Sequence, residues 1–529
     1  MKRTLLSFLL CGVFVTSMLQ AEDAKIDTVD DHKGWGWKSV VMSNGLITVA
    51  TIPEIGARIM QYDLGSHSSI FINPDPKYFG KVLEPDQDDW RNYGGYKVWP
   101  APQSRWSWKP PAQLDAGHYQ YEIIDESTDS VSVFVRSPEA VWKKHTQLPG
   151  LVIERRAVVY KGTSRVKVEQ AMVNTTENEM SWSIWDVTQV MGQHGEEKDF
   201  ELFWVYFPIK KEGSVFGNSG VETSKSSKAW KGEVAPGIYG VQYQPSGAKI
   251  FADSPEGWIA YVDERESYAY FKVFEIWEGE TYPDNGARNE VWVNSNPYYI
   301  EVEVVSPIWP IPPNGGKITF VEDWYAAKMN GPVKYANHVG AVNRYLGYQN
   351  ETSELEARYG VFYQGTAKVV FLDESGVVLA EGQTYEVDPM SEFHIDEILE
   401  QPEGAVAVEV RVYNSNGDLL GTIESKPVDL LASVAEQISH QPGSLTLAQN
   451  YPNPFNPSTT LEYTLDRSQH VTLNVYDMKG REAATLVDQV VASGSHKITW
   501  NAAQYSAGIY LARLAGDHYT ANLKMILLK

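Results

Sequence analysis

The run from Tyr93 to Pro111, YGGYKVWPAPQSRWSWKPP, crowds tyrosines, tryptophans and an arginine among glycines and prolines. Pro100, Pro102, Pro110 and Pro111 fix φ and remove backbone donors, so this stretch cannot be helical and must hold Trp99, Arg105, Trp106 and Trp108 on a stiff extended frame. Stiff indoles beside a planar cation suit a sugar. Their faces cover the apolar C–H faces of pyranose rings, while a guanidinium offers hydroxyls a fixed fork of donors. Core packing of the tryptophans and a structural ion pair at Arg105 are the plainer alternative. Two further sets of side chains have the types that chemistry needs. Glu275, Glu278, Glu280 and Asp284 in FEIWEGETYPDNG include carboxylates of the kind that pair in glycoside hydrolysis, where their separation sets the mechanism. Asp86, Asp88 and Asp89 in EPDQDDW offer oxygens to calcium but lack the glycine and distal glutamate of a dedicated loop, so they read as a solvated turn and no metal is expected. No Ser-His-Asp signature, phosphate-cradling glycine loop or zinc spacing is present, and no cofactor is expected.

These residues must be positioned by β structure. Ser130 to Val135, Arg165 to Val173, Tyr298 to Val305 and Ala405 to Val412 alternate apolar and polar residues at the period of half-buried strands, and sustained helical periodicity is scarce. The expected fold class is all-β, built of antiparallel sandwiches. At 529 residues the chain is too long for one core. Lys2 and Arg3, an apolar run from Leu5 to Val15 and Ala21 before Glu22 read as a signal peptide over residues 1–21. The expected organisation continues with a large domain over 30–345, a small sandwich over 354–431, a linker over 432–444 and a last domain over 445–529. The single cysteine, Cys11, lies in the signal, so export without disulfides is expected. No later stretch approaches the ~20 apolar residues of a transmembrane helix. A formal charge of −23 without any Lys/Arg cluster argues against nucleic acid as a partner. The 30 tyrosines and 17 tryptophans fit a carbohydrate-handling β protein, although strands favour aromatics in any case.

Residues 445–529 carry LAQNYPNPFNPSTTLEYTL, VTLNVYDMKGREAATLV, HKITWNAAQYSAGIYLARL and a closing KMILLK. This block resembles the C-terminal sorting domain of the bacterial type IX secretion system, an immunoglobulin-like sandwich. The resemblance implies a secreted or cell-surface protein whose partner there is the secretion machinery. The 354–431 block looks like another immunoglobulin-like sandwich, a spacer or weak glycan-binding accessory. In the large domain, NGLITVATIPEIGARIMQYDL, GGYKVWPAPQSRW, SIWDVTQV and YYIEVEVVSPIWPIPPNGGKITFVEDW follow in order. Together they resemble the galactose mutarotase-like family, which implies a supersandwich with a concave face for a saccharide.

Catalysts of that family use a base, an acid and an orienting arginine, commonly glutamate, histidine and arginine. The resemblance places Arg105 as the arginine and Glu303 as the base, with Glu301 competing for the role from the same strand face. Arg58, in the first motif, is a further candidate contact. The histidine is missing: its strand reads Ser183-Ile184-Trp185-Asp186-Val187-Thr188-Gln189. Asp186 or Gln189 could occupy its place, but glutamine cannot pass a proton at neutral pH and aspartate would need strong burial to stay protonated. His118 and His194 are the nearby histidines. Three readings follow: a protein that recognises a saccharide through Trp99, Arg105, Trp106, Trp108, Gln189 and Arg58; an epimerase, lyase or hydrolase using Glu303 with Asp186 or His118; and a non-catalytic adhesion or display protein. A carboxylate and a second titratable group across an aromatic-lined cleft would favour the second.

Overall fold

The computed structural model describes residues 21–83, 90–106, 109–141, 148–350 and 352–430, and most of 446–528 apart from short gaps. The signal segment through residue 20, the Asp86-Asp88-Asp89 run, Trp108 and the 432–444 linker lie outside the described residues.

Alternation of apolar side chains yields strands almost throughout, and among the described residues every pairing between them is antiparallel apart from one isolated bridge in the last unit. A twelve-stranded sheet runs in the order Lys25–Val29, Ser39–Ser43, Ile47–Ile52, Arg58–Leu64, Tyr96–Ala101, Met180–Met191, Tyr299–Val305, Asn289–Val293, Ala248–Ala252 and Val221–Thr223, with two short strands beside it. A ten-stranded sheet includes Tyr268–Phe274, Gly316–Lys328, Val166–Asn174 and Leu151–Tyr160 at its middle. The two enclose one large apolar core containing Val40, Ile59, Tyr62, Val98, Trp182, Ile184, Val302, Tyr270 and Trp324. The chain is therefore all-β, as the alternating pattern predicts.

That core contains charge. Asp186, Lys272 and Glu322 are essentially unexposed between the sheets. Lys272 Nζ binds the Asp186 carboxylate and donates to Val302 O at 2.9 Å, while Gln170 Nε2 donates to Glu322 Oε1 at 2.8 Å. Edge-to-face contacts of Trp324 with Tyr96 and Tyr270, at 4.8 and 5.6 Å, close the space around them. One ammonium faces two carboxyls. Burial, helped by the nearby Asp186 charge and opposed by Lys272, raises the Glu322 pKa well above the ordinary range, so Glu322 is held neutral. The consequence for stability has a definite sign. Below the ordinary glutamate range the folded and unfolded forms both keep this proton; as pH rises past it only the unfolded chain releases it, and stability falls. Glu322→Gln mimics the neutral form. Its stability relative to wild type should therefore rise between pH 5 and 8, by up to about 1.4 kcal/mol per pH unit while Glu322 stays protonated in the fold. Denaturant midpoints across that range test it, and a constant difference refutes it.

The middle sandwich begins earlier than its expected start at Glu354, because Tyr335–Ala336 and Gly340–Gln349 pair into the same sheet as Glu354–Val361. Phe362 packs on Tyr325 at 4.4 Å and on Phe271 at 5.0 Å, and Phe362 O accepts from Thr163 Oγ1 at 2.7 Å and from Ser164 N at 3.0 Å. With Met329, Val333 and Ala341 these residues bury the outer face of the ten-stranded sheet. The outer face of the twelve-stranded sheet is thereby distinguished as the one carrying polar side chains in register. Residues 446–528 form a separate unit of a three-stranded and a four-stranded sheet around Phe455, Val475, Trp500 and Leu514.

Candidate functional site

Strand register decides which residues meet. Trp185 stands opposite Trp99 on one side and Val305 on the other, Gln189 opposite Glu301, Glu303 opposite Glu290, Glu301 opposite Trp292, and Trp292 opposite Lys249. Directly opposed side chains point the same way, so one face of the sheet carries Lys97, Trp99, Trp185, Gln189, Lys249, Glu290, Trp292, Glu301 and Glu303. Ile184, Asp186 and Thr188 alternate with them and point into the core.

The face is built as two linked clusters. In the first, Asp115 Oδ1 accepts from Trp99 Nε1 at 2.8 Å and from an Arg58 guanidinium nitrogen at 2.9 Å; the other terminal nitrogen of Arg58 donates to Gly94 O at 3.0 Å. Two glycines make this possible. Gly56 has φ +78° and a Cβ there would lie 2.1 Å from Asp115 O, while Gly94 has φ +92° and a Cβ there would lie 2.3 Å from Phe71 O. Lys97 Nζ sits 4.6 Å over the Trp99 ring and 3.4 Å from Glu301 Oε1, which also accepts from Gln189 Nε2 at 2.8 Å. Burial lowers the Lys97 pKa against the pull of Glu301.

In the second cluster, Glu303 Oε2 accepts from Trp185 Nε1 at 2.6 Å and from Lys249 Nζ at 2.7 Å. The same ammonium is 2.5 Å from Glu290 Oε2 and 4.5 Å over the Trp185 ring. Burial alone would lower the Lys249 pKa, but Glu290 and Glu303 outweigh it and hold the ammonium above the usual lysine range. Burial raises both carboxyls, opposed by Lys249, and raises Glu290 the more strongly. The indoles of Trp99 and Trp185, 5.3 Å apart and edge to face, join the two clusters. Most of the assembly is covered, while Glu301 and Lys249 keep 13% and 15% of their side-chain surface, and Trp292 between them is half-buried.

Of the sequence candidates, Trp99, Gln189, Arg58, Glu301 and Glu303 fall on this face together. Trp106 lies beneath it, fully buried, with its ring edge-on to Trp99 at 5.8 Å and its Nε1 donating to Pro100 O at 2.7 Å. Arg105 is held at the strand ends, donating to Ser181 O at 2.7 Å and lying 5.3 Å over Trp182. Asp186 points away from Glu303 into the core, because its position in the strand is odd by one relative to Trp185 and Val187. His118 is exposed in the turn after Ala112–Asp115. His194 is tied through Nδ1 to Asp199 at 2.6 Å and through Nε2 to Asp263 at 2.7 Å. Glu278 is engaged by Arg288 at 2.9 and 3.0 Å. Lys97, Asp115, Trp185, Lys249, Glu290 and Trp292 were not singled out by sequence. The one available signal was the alternation in Asn289–Val293, NEVWV, which puts Glu290 and Trp292 on one face. Among the described residues no group of His, Cys, Asp and Glu is arranged to hold a metal ion.

Residues 449–528 match the family described as the secretion system C-terminal sorting domain. The chain is thus exported through the type IX system to the cell surface or beyond. No helix among the described residues is long and apolar enough to cross a membrane. No curated protein matches the chain in sequence. Among solved structures, it is similar to a TPR-domain-containing protein from Parabacteroides distasonis, with a TM-score of 0.38 and 12% identity over 57% of this chain and 49% of that one. The chain therefore spans about half the length of that structure. It is also similar to a galactose mutarotase-like protein from Clostridium acetobutylicum, with a TM-score of 0.38 and 12% identity over 58% of this chain and 99% of that one. A galactose mutarotase-like protein from Lactobacillus casei gives a TM-score of 0.37 and 8% identity over 54% of this chain and 99% of that one.

Proposed function

We propose that this exported protein recognises a saccharide on the outer face of its twelve-stranded sheet. The observation that carries the reading is the cross-strand row Lys249–Trp292–Glu301, where a half-buried indole lies between an ammonium and a carboxylate. An indole face matches the apolar face of a pyranose, and the flanking charges match the hydroxyls at its rim. Behind the row, Trp185, Trp99, Gln189 and Glu303 continue the same alternation of aromatic and polar groups. The motif resemblance to the mutarotase-like family supports the same face, and export places it where polysaccharides and their fragments are met. Glu303 is the carboxylate assigned to the saccharide in this reading, with Trp99 and Gln189 beside it.

Calorimetric titration of the mature full chain with a panel of neutral oligosaccharides tests the proposal. Wild type should bind at least one of them, and Trp292→Ala should weaken that binding by 10-fold or more, about 1.4 kcal/mol or above, as removal of an aromatic anchor does. Arg105→Ala should leave affinity within a few fold, because Arg105 sits at the strand ends on Ser181 O and Trp182, outside the Lys249–Trp292–Glu301 row. Absence of binding across the panel, or full affinity in Trp292→Ala, rejects the reading.

A further inference from the structure

Three ionisable side chains meet in the apolar core between the two large sheets. Asp186 enters from Met180–Met191 of the twelve-stranded sheet, while Lys272 and Glu322 enter from Tyr268–Phe274 and Gly316–Lys328, paired strands of the ten-stranded sheet. All three are at most 1% exposed. The Lys272 ammonium binds the Asp186 carboxylate and donates to Val302 O at 2.9 Å, which holds the nitrogen against the carboxyl it faces. Glu322 is the member that an ion pair alone does not need. Its Oε1 accepts from Gln170 Nε2 at 2.8 Å, leaving Oε2 to carry the proton of the neutral acid. Asp186 Oδ2 and Glu322 Oε2 are both buried without a donor from any other described residue, and that one proton serves both. Burial, then the Asp186 charge and a hydrogen bond to it, raise the Glu322 pKa in agreement with this arrangement. A buried ion pair is expensive to desolvate. The same atoms joined as an amide carry no charge, and nothing is left unpaired: the amide N–H keeps Val302 O and the amide oxygen accepts from Glu322.

We propose that Lys272 and Asp186 condense to an amide, with Glu322 carrying the protons, so that one covalent bond ties the two sheets together. The step needs no further reactant. The ammonium first gives a proton to the carboxylate, leaving a neutral amine beside a neutral acid. The Nζ lone pair then attacks Asp186 Cγ, and the carbonyl oxygen, as its π pair opens, takes the Glu322 proton. The nitrogen returns a proton to Glu322. Glu322 next protonates one of the two hydroxyls, the bond from Cγ to that oxygen breaks, and water leaves; the remaining hydroxyl re-forms the carbonyl and gives its proton back to Glu322. One ammonium and one carboxylate become one amide and one water, and Glu322 ends as it began. Tyr96, Tyr270 and Trp324 close the space against the water that would reverse the step. Attack starts from the minor, neutral form of the pair, so closure is slow and freshly folded chain holds the ion pair. Stability differences that depend on these charges belong to that open form.

The test holds the folded mature full chain near neutral pH, samples it over days, digests each sample with trypsin after denaturation and reads the peptides by tandem mass spectrometry. Wild type should yield a branched peptide joining the segment from Val168 to Lys198 to that from Glu266 to Arg288, uncut at Lys272. It should be lighter by about 18 Da, one water, than the two segments together. Its share should grow with time, and chain kept in guanidinium should form none, because only the fold brings the groups together. Glu322→Gln keeps both reacting groups and the shape of the acid but cannot carry a proton. Its closure should be slower by about 100-fold or more, with its fold checked by tryptophan fluorescence. Glu322→Asp should restore part of the rate, which a purely structural role would not require. Folded wild type that yields only the two separate segments at every time overturns the amide. Closure at the wild-type rate in folded Glu322→Gln overturns the role of Glu322.

Discussion

Lys272→Met should lower the stability of the N-terminal unit by about 3–5 kcal/mol, the cost of leaving a buried charge without its partner. Lys272 and Asp186 have no exposed side-chain surface, and the Lys272 ammonium is the cation in direct contact with the Asp186 carboxylate. Asp186→Leu should cost less, because Glu322, freed of the neighbouring Asp186 charge, can ionise and serve Lys272 as counter-charge. The double variant, Lys272→Met with Asp186→Leu, should recover most of the loss, since an apolar pair of similar volume removes two desolvation penalties together. Guanidinium unfolding of the mature full chain, followed by tryptophan fluorescence, measures all three. Single variants costing less than about 1 kcal/mol would show that water reaches the pair. The same experiment separates the two roles open to Asp186. An acid-base residue facing a cleft would be dispensable for stability, whereas an ion pair between two sheets is not.

The fold was legible because its signal is local. Strands at Ser130–Arg136, Val166–Asn174, Tyr299–Val305 and Ala407–Asn414 lie where the two-residue alternation puts them, and the last block carries its motifs in contiguous stretches. The site was legible only where the motifs touched it. Trp99, Glu303 and Gln189 lie in quoted motifs, but Lys249, Glu290 and Trp292 reach the same face through antiparallel register between strands far apart in sequence. Nothing in the residues around Lys249 marks it as the partner of Glu303. Asp186 illustrates a second limit. In a strand buried on both faces, Ser183 to Val190, polar and apolar residues occur on each side, so alternation no longer tells which side is which. A shift of one position then separates a residue in the cleft from one in the core. Arg105 and Arg58 show the same ambiguity between two cations: contacts set by the fold, not spacing, place Arg58 behind Trp99 and Arg105 on Ser181.

Asp115→Ala should cost about 3–5 kcal/mol for a reason that also fixes the role of Arg58. One carboxylate oxygen holds both the Trp99 indole N–H and the Arg58 guanidinium, and the two charged side chains are 1% and 0% exposed. Without it Arg58 keeps only Gly94 O, and the indole N–H is buried unpaired. Asp115→Asn retains an acceptor for Trp99 but not the charge, so it should lie between Asp115→Ala and wild type. Removing both charges, Arg58→Met with Asp115→Leu, should regain much of the loss. Binding then separates strut from ligand contact. If Arg58 acts only by positioning Asp115 and Trp99, the refolded double variant should bind its saccharide within about 3-fold of wild type, whereas loss of a charged hydrogen bond to the ligand itself would cost about 10-fold or more. Calorimetry on the folded variants measures the difference, and a tenfold loss would return Arg58 to the saccharide.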